Sequence, residues 1–173
     1  AVALFQEGAT LPFIAGALGN FLGGYVCDVM VKRYGLRIGR RTVGTAGLGV
    51  AALCILGTAL TPDRLMAVAL LTFGFFAMDC MLPVSWALCL DVGRKHAGAV
   101  TGAMNMAGQF GSFLSSVGFG ILVDRFGGRY DIPLVLFAGM LGISALIFSR
   151  IDPTEQLVPE DTPLQTQRLA PAV

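Results

Sequence analysis

Five stretches of this chain are apolar almost without interruption: 10–31, 42–60, 65–90, 98–122 and 132–149. Each is close to the roughly 20 residues that an α-helix needs to cross the hydrocarbon of a bilayer. Inside that medium the backbone has no water to bond, so a spanning segment must be a helix or part of a closed barrel. Runs of this length exceed the roughly 9–11 residues of a barrel strand. The expected class is therefore an all-α, multi-pass membrane protein with the lipid bilayer as its solvent. The bulk figures agree: 13% of residues are charged, against about 25% in soluble domains, and the mean hydropathy is +0.74. The 23 glycines also fit, because small residues let membrane helices approach closely.

Within this apolar background, residues 79–116 stand out for their polar stripes. Asp79, Pro83 and Trp86 fall at i, i+4 and i+7, on one face of a helix. On the next segment Thr101, Asn105, Gln109, Ser112 and Ser116 repeat that spacing, opposite Ala103, Phe110, Leu114, Val117 and Ile121. Polar groups at membrane depth are costly unless they face a bundle interior or a wet cavity. The two stripes are expected to line one polar path, with Asp79, Trp86, Asn105, Gln109 and Ser112 as its candidate residues. Asp79 lies near the middle of its run, where a carboxylate can hold a proton when the site is dry and release it when wet.

The segments between the runs are expected to be loops. Lys32, Arg33, Arg37, Arg40 and Arg41 place five cations within ten residues, too dense for lipid. Residues 1–9, with Gln6 and Glu7, look like the end of a loop, alone or with the edge of an earlier helix, and Pro12 is expected in the first turn of the helix that follows. In the first run Gly16, Asn20, Gly23 and Cys27 share a face, with Gly19 beside it, as close helix packing requires. The second and fifth runs carry few polar groups (Thr45, Cys54, Thr58; Ser144) and are expected at the periphery, facing lipid. After Arg150 the chain turns polar and carries Pro153, Pro159, Pro163 and Pro171, as a disordered tail would. The expected organisation is a membrane unit over 1–151 and a tail over 152–173. Nine of the twelve Lys and Arg residues fall on the side of the Lys32–Arg41 segment, Arg94, Lys95 and the tail, and three on the other. The positive-inside rule places the first side in the cytoplasm.

Catalytic and metal chemistry find little support. The four cysteines sit singly inside apolar runs, and His96 is the lone histidine, so no disulfide framework, zinc site or Cys/His pair is indicated. A GK[ST] phosphate loop is absent from this sequence. No enzyme activity, cofactor or nucleic-acid partner is expected.

Gly24-Tyr25-Val26-Cys27-Asp28, followed by basic residues closing at Arg40-Arg41, resembles the G-x-x-x-D-R-x-G-R-R motif of the major facilitator superfamily. Val29 stands where the motif has Arg. Pro83-Val84-Ser85-Trp86-Ala87, then Asp91, and the stretch Gly98–Gln109 with Met104-Asn105-Met106-Ala107-Gly108 resemble the anion:cation symporter branch of that family. The resemblance covers about residues 8–150 and implies helices 8 to 12 of twelve, an incomplete six-helix half-bundle. It implies that Trp86 and Asn105 line a central substrate site. It also implies that Gly24, Asp28, Arg40 and Arg41 form a cytoplasmic latch. The function implied is secondary active transport of a small, sugar-acid-like organic anion, coupled to a proton or sodium ion, in the inner or plasma membrane. The substrate would sit between this half and a missing N-terminal six-helix half. The alternative is a truncated, inactive half-transporter with a structural or regulatory role.

Overall fold

The computed structural model describes residues 2–155, with side chains from residue 10 onward. Each apolar run carries one helix: α1 Val2–Tyr34, α2 Leu36–Leu60, α3 Arg64–Gly93, α4 Ala97–Arg125 and α5 Asp131–Phe148. The described residues contain no strand. Four helical stretches are long and apolar enough to cross a membrane: Thr10–Tyr34, Leu36–Leu60, Arg64–Arg125 and Asp131–Phe148. The third combines α3 and α4 with the short 3₁₀ turn Arg94–His96 between them. The chain doubles back at that turn. Cys89 Sγ and Met104 Sδ lie 3.2 Å apart, whereas fifteen residues of straight helix would separate them by about 22 Å. Arg94, with φ of 44°, carries the reversal.

Two expectations about the ends of α1 give way to longer helices. Residues 2–9 are helical, since α1 begins at Val2, and Pro12 lies within the helix, not in its first turn. Nor is the basic stretch a loop. The helix runs through Lys32 and Arg33 to Tyr34, breaks for Gly35 alone, and α2 starts at Leu36. Gly35 has φ of 87°, a conformation open to glycine at little steric cost, and it reverses the chain in a single residue. Its N–H still bonds Val31 O at 2.9 Å, and Gly39 N bonds Gly35 O at 3.0 Å. Long cationic side chains can extend from helix ends to water, so the charge density that argued for a loop is met by two helix termini. The expected tail is described only as far as Glu155, and the rest of it lies outside the described residues.

The helices are held by close approach of small residues. Gly19 and Gly23 bring α1 onto the backbone of α3 at Phe76 and Cys80. The rings of Phe13 and Phe75 meet further along the same seam, 6.4 Å apart, and Gly24 faces Pro83. The order of these pairs shows that α1 and α3 run in the same direction. On its other flank α3 meets α2, where Gly47 sits against the Ala77 carbonyl and Gly74 against Cys54. Gly44 of α2 opens a notch for the Phe148 ring of α5.

α2 is thus central among the described helices, not peripheral. It touches α1, α3 and α5 and buries Gly39, Gly44, Gly47, Leu48, Ala51, Ala52, Cys54 and Thr58. Its scarcity of polar groups reflects burial against protein as much as exposure to lipid. α4 is the opposite case, with no buried residue.

Candidate functional site

Asp79 lies in the seam between α1 and α3. Its carboxylate fills the space beside Gly16, with Cγ 3.2 Å from where a Cβ on that glycine would stand. Any side chain at Gly16 would have to share this space. Pro83, one turn along, faces Gly24. α3 continues through it to Gly93 without a break. Trp86, a turn further, is 42% exposed. The structure therefore places Asp79 against α1, with no hydrogen bond or ion pair to α4 among the described residues.

On α4, the residues nearest the turn hold to α3. Gly93 lies against Val100, and Met104 meets Cys89. The Thr101 hydroxyl is buried there without a hydrogen-bond partner. Beyond Met104 the stripe is uncovered: Asn105, Gln109, Ser112 and Ser116 are all exposed. The opposite, apolar face is exposed as well, with Phe110 at 63% and Ile121 at 54%. The five candidate path residues thus lie on α3 and α4; Asp79 meets α1 at Gly16, while Trp86, Asn105, Gln109 and Ser112 are exposed.

A second polar centre gathers at the basic end of the bundle. Arg40, on the second turn of α2, has a side chain only 13% exposed. Its Nε donates to Asp91 Oδ2 at 3.0 Å. One terminal NH2 group donates to Cys27 Sγ at 3.2 Å and lies 3.8 Å from Asp28 Oδ1. One guanidinium thus joins the ends of α1, α2 and α3. The two carboxylates are unequal partners. Asp91 is the closer and has a side chain 24% exposed, where a charge-assisted bond is strong. Asp28 is 70% exposed, where an ion pair contributes little.

Arg41 points the other way. Its Nε and a terminal NH2 donate to the Ile151 carbonyl at 3.2 and 3.1 Å. Arg37, one turn earlier, pairs with Asp152 at 3.0 Å. Asp152 also accepts the Thr154 hydroxyl at 2.6 Å and the Thr154 amide at 3.1 Å. Those two bonds, followed by the charges of Arg37 and Arg41, hold its carboxyl below the usual range.

Of the expected latch residues, the structure brings Asp28 and Arg40 together, turns Arg41 to the end of α5, and sets Gly24, one turn before Asp28, against Pro83. Asp91, Cys27 and Asp152 were not expected as partners. Asp91 had a visible signal, because it and Asp28 end apolar runs on the same side of the membrane as Arg40. For Asp152 there was none. Among the described residues no three His, Cys, Asp or Glu side chains are grouped to hold a metal ion.

The sequence profile of the Major Facilitator Superfamily matches residues 2–173. The chain belongs to this superfamily. Its relatives in the family are transporters, not enzymes. The chain is 38% identical over 144 residues to a probable sulfoacetate transporter of Cupriavidus necator, covering 83% of this chain and 33% of that protein. It is 28% identical over 141 residues to a D-galactonate transporter of Escherichia coli O6:H1, covering 80% of this chain and 32% of that protein. A probable galactarate/D-glucarate transporter of Escherichia coli K12 is 24% identical over 121 residues, covering 69% of this chain and 26% of that protein. This superfamily chain spans about a third of the length of the curated relatives it matches.

Proposed function

We propose that this chain forms part of a secondary active transporter that moves a small organic anion by alternating access. The observation that carries the proposal is its likeness, over most of its length, to three carriers named for such anions. The five helices are taken as five spans, with α3 and α4 crossing separately, and the Lys32–Arg41 side in the cytoplasm of the inner or plasma membrane. A further six-helix half supplies the other wall of the substrate path. The exposed stripe on α4 supports this arrangement. Asn105, Gln109 and Ser112 offer neutral hydrogen-bond donors suited to hydroxyls and carboxylates, and Trp86 offers an aromatic face. Arg40 with Asp28 and Asp91 serves as a latch between conformations. Asp79 is assigned to coupling with a proton or sodium ion, because it is a titratable group placed inside an apolar helix.

The test uses the transporter that contains this chain, reconstituted in vesicles with radiolabelled galactonate or sulfoacetate. An imposed ion gradient should drive accumulation. Asn105→Ala and Trp86→Ala should weaken apparent affinity. Asp79→Asn should abolish accumulation yet leave substrate-for-substrate exchange, which needs no net ion movement. Absence of uptake for both anions would remove the substrate class. Accumulation by Asp79→Asn at the normal level would make Asp79 structural.

A further inference from the structure

The first turns of α2 carry Arg37, Arg40 and Arg41, and these side chains divide between two destinations. Arg40 turns inward to Cys27, Asp28 and Asp91 on α1 and α3. Arg37 and Arg41 turn outward to the residues that follow α5. Successive positions on a helix differ by about 100°, so neighbouring arginines serve opposite sides of one turn.

The segment after α5 is built to receive them. Backbone bonds from Ser149 N to Ala145 O, Arg150 N to Ile147 O and Ile151 N to Phe148 O close it into a tight turn. That turn presents the Ile151 carbonyl to Arg41. Asp152 then folds over Thr154, leaving its second carboxylate oxygen for Arg37. Pro153 is buried, and Ile151 packs against the cluster of Cys27, Leu48, Val84, Ala145 and Phe148. Above it, the Phe148 ring fills the notch at Gly44.

We infer that residues 149–155 form a clasp by which α5 is carried on α2. The Arg37–Arg41 turn then transmits movement between α5 and the pair α1–α3. The clasp combines a charged pair at Arg37, a carbonyl held by two N–H groups of Arg41, and a ring seated at Gly44, all on about two turns of α2. With it closed, the four helices move as one body when the transporter changes state. With it open, α5 lags while α1 and α3 remain joined through Arg40. The consequence for transport rests on the function proposed above; the mechanical claim does not.

Hydrogen exchange on the transporter in lipid nanodiscs tests the mechanical claim. Asp152→Ala and Arg41→Ala should each raise exchange at the amides of Ser149, Arg150 and Ile151 by roughly tenfold, as loss of charge-assisted bonds to a marginal turn implies. The ends of α1 and α3 should be unchanged. Arg40→Ala should give the reverse pattern. If Arg41→Ala does not fold, Asp152→Ala still decides, since it leaves the arginine turn intact. Unchanged exchange at 149–151, or a rise shared equally by the ends of α1 and α3, would overturn the clasp. Where the wild type transports, clasp variants should lower turnover several-fold at unchanged substrate affinity. Raised exchange with normal turnover would uphold the clasp and overturn its part in transport. A wild type without transport would count against the proposed function alone.

Discussion

Gly23→Ala probes the contact on which the α1–α3 seam depends. A methyl group there would stand 2.5 Å from Cys80 Cα and 2.7 Å from its carbonyl carbon. These are backbone atoms inside a helix, so they cannot swing aside as the tip of a side chain could. Ordinary contact begins near 3.4 Å, and α1 must therefore retreat from α3 by roughly 1 Å, an overpacking that costs about 1–3 kcal/mol. The retreat also loosens Gly19 at Phe76 and Gly16 at Asp79, which share the seam. Gly49→Ala is the control. No atom lies within 4 Å of the added methyl, and relief of glycine's backbone entropy should stabilise α2 by about 0.5–1 kcal/mol. The assay follows thermal unfolding with a thiol-reactive fluorophore. Cys27, Cys54 and Cys89 are buried and Cys80 is half-buried, so reaction reports opening of the bundle. Gly23→Ala should lower the midpoint, and Gly49→Ala should hold or raise it. A wild-type midpoint for Gly23→Ala would refute the argument. An equal fall for Gly49→Ala would show that any methyl in these helices is harmful, wherever it points.

Three further outcomes are expected. On a cysteine-free background, Arg33→Cys should react with an impermeant thiol reagent only from the cytoplasmic side and Asp63→Cys only from outside; the opposite pattern would reverse the assigned orientation. Asp91→Asn should shift the balance of inward- and outward-facing states, measured by spin-label distances, more than Asp28→Asn does. Asp91 is closer to Arg40 and less exposed; an equal or smaller shift would show that the short pair does not set the balance. For Asp152 the folded carboxyl titrates below its unfolded value, so its stabilisation is complete above the unfolded value and fades as pH falls through the folded one. Exchange at residues 149–151 should thus stay slow at neutral pH after correction for intrinsic rates and speed up only in acid, a transition that Asp152→Asn should remove.

The helices are legible in the sequence because a bilayer leaves an apolar run few alternatives to helix. The small face of the first run is legible for a similar reason, since a stripe of Gly16, Gly19 and Gly23 has little use except close contact, and α3 supplies it. The basic stretch misleads because charge density reports proximity to water, not backbone conformation. Gly35 gives a turn so tight that five cations are shared between two helix ends. The pairing of the polar stripes is not legible either. Periodicity fixes which residues share a face of α3 or α4, while the neighbour that face meets is set by packing elsewhere. Glycine at position 16 draws the Asp79 carboxylate toward α1. Contacts such as Arg41 with Ile151, 110 positions apart, leave no local trace at all.

The one-residue turn at Gly35 also bears on how the chain enters the membrane. With one residue between them, α1 and α2 form a hairpin whose apex carries Lys32, Arg33, Arg37, Arg40 and Arg41. Bringing each such cation to the bilayer centre costs about 2.5–3.5 kcal/mol. Drawing the whole apex through would therefore require on the order of ten kcal/mol or more. The hairpin can enter only with its tip left behind. The side on which that tip remains constrains the direction of α3, α4 and α5, which alternate from it.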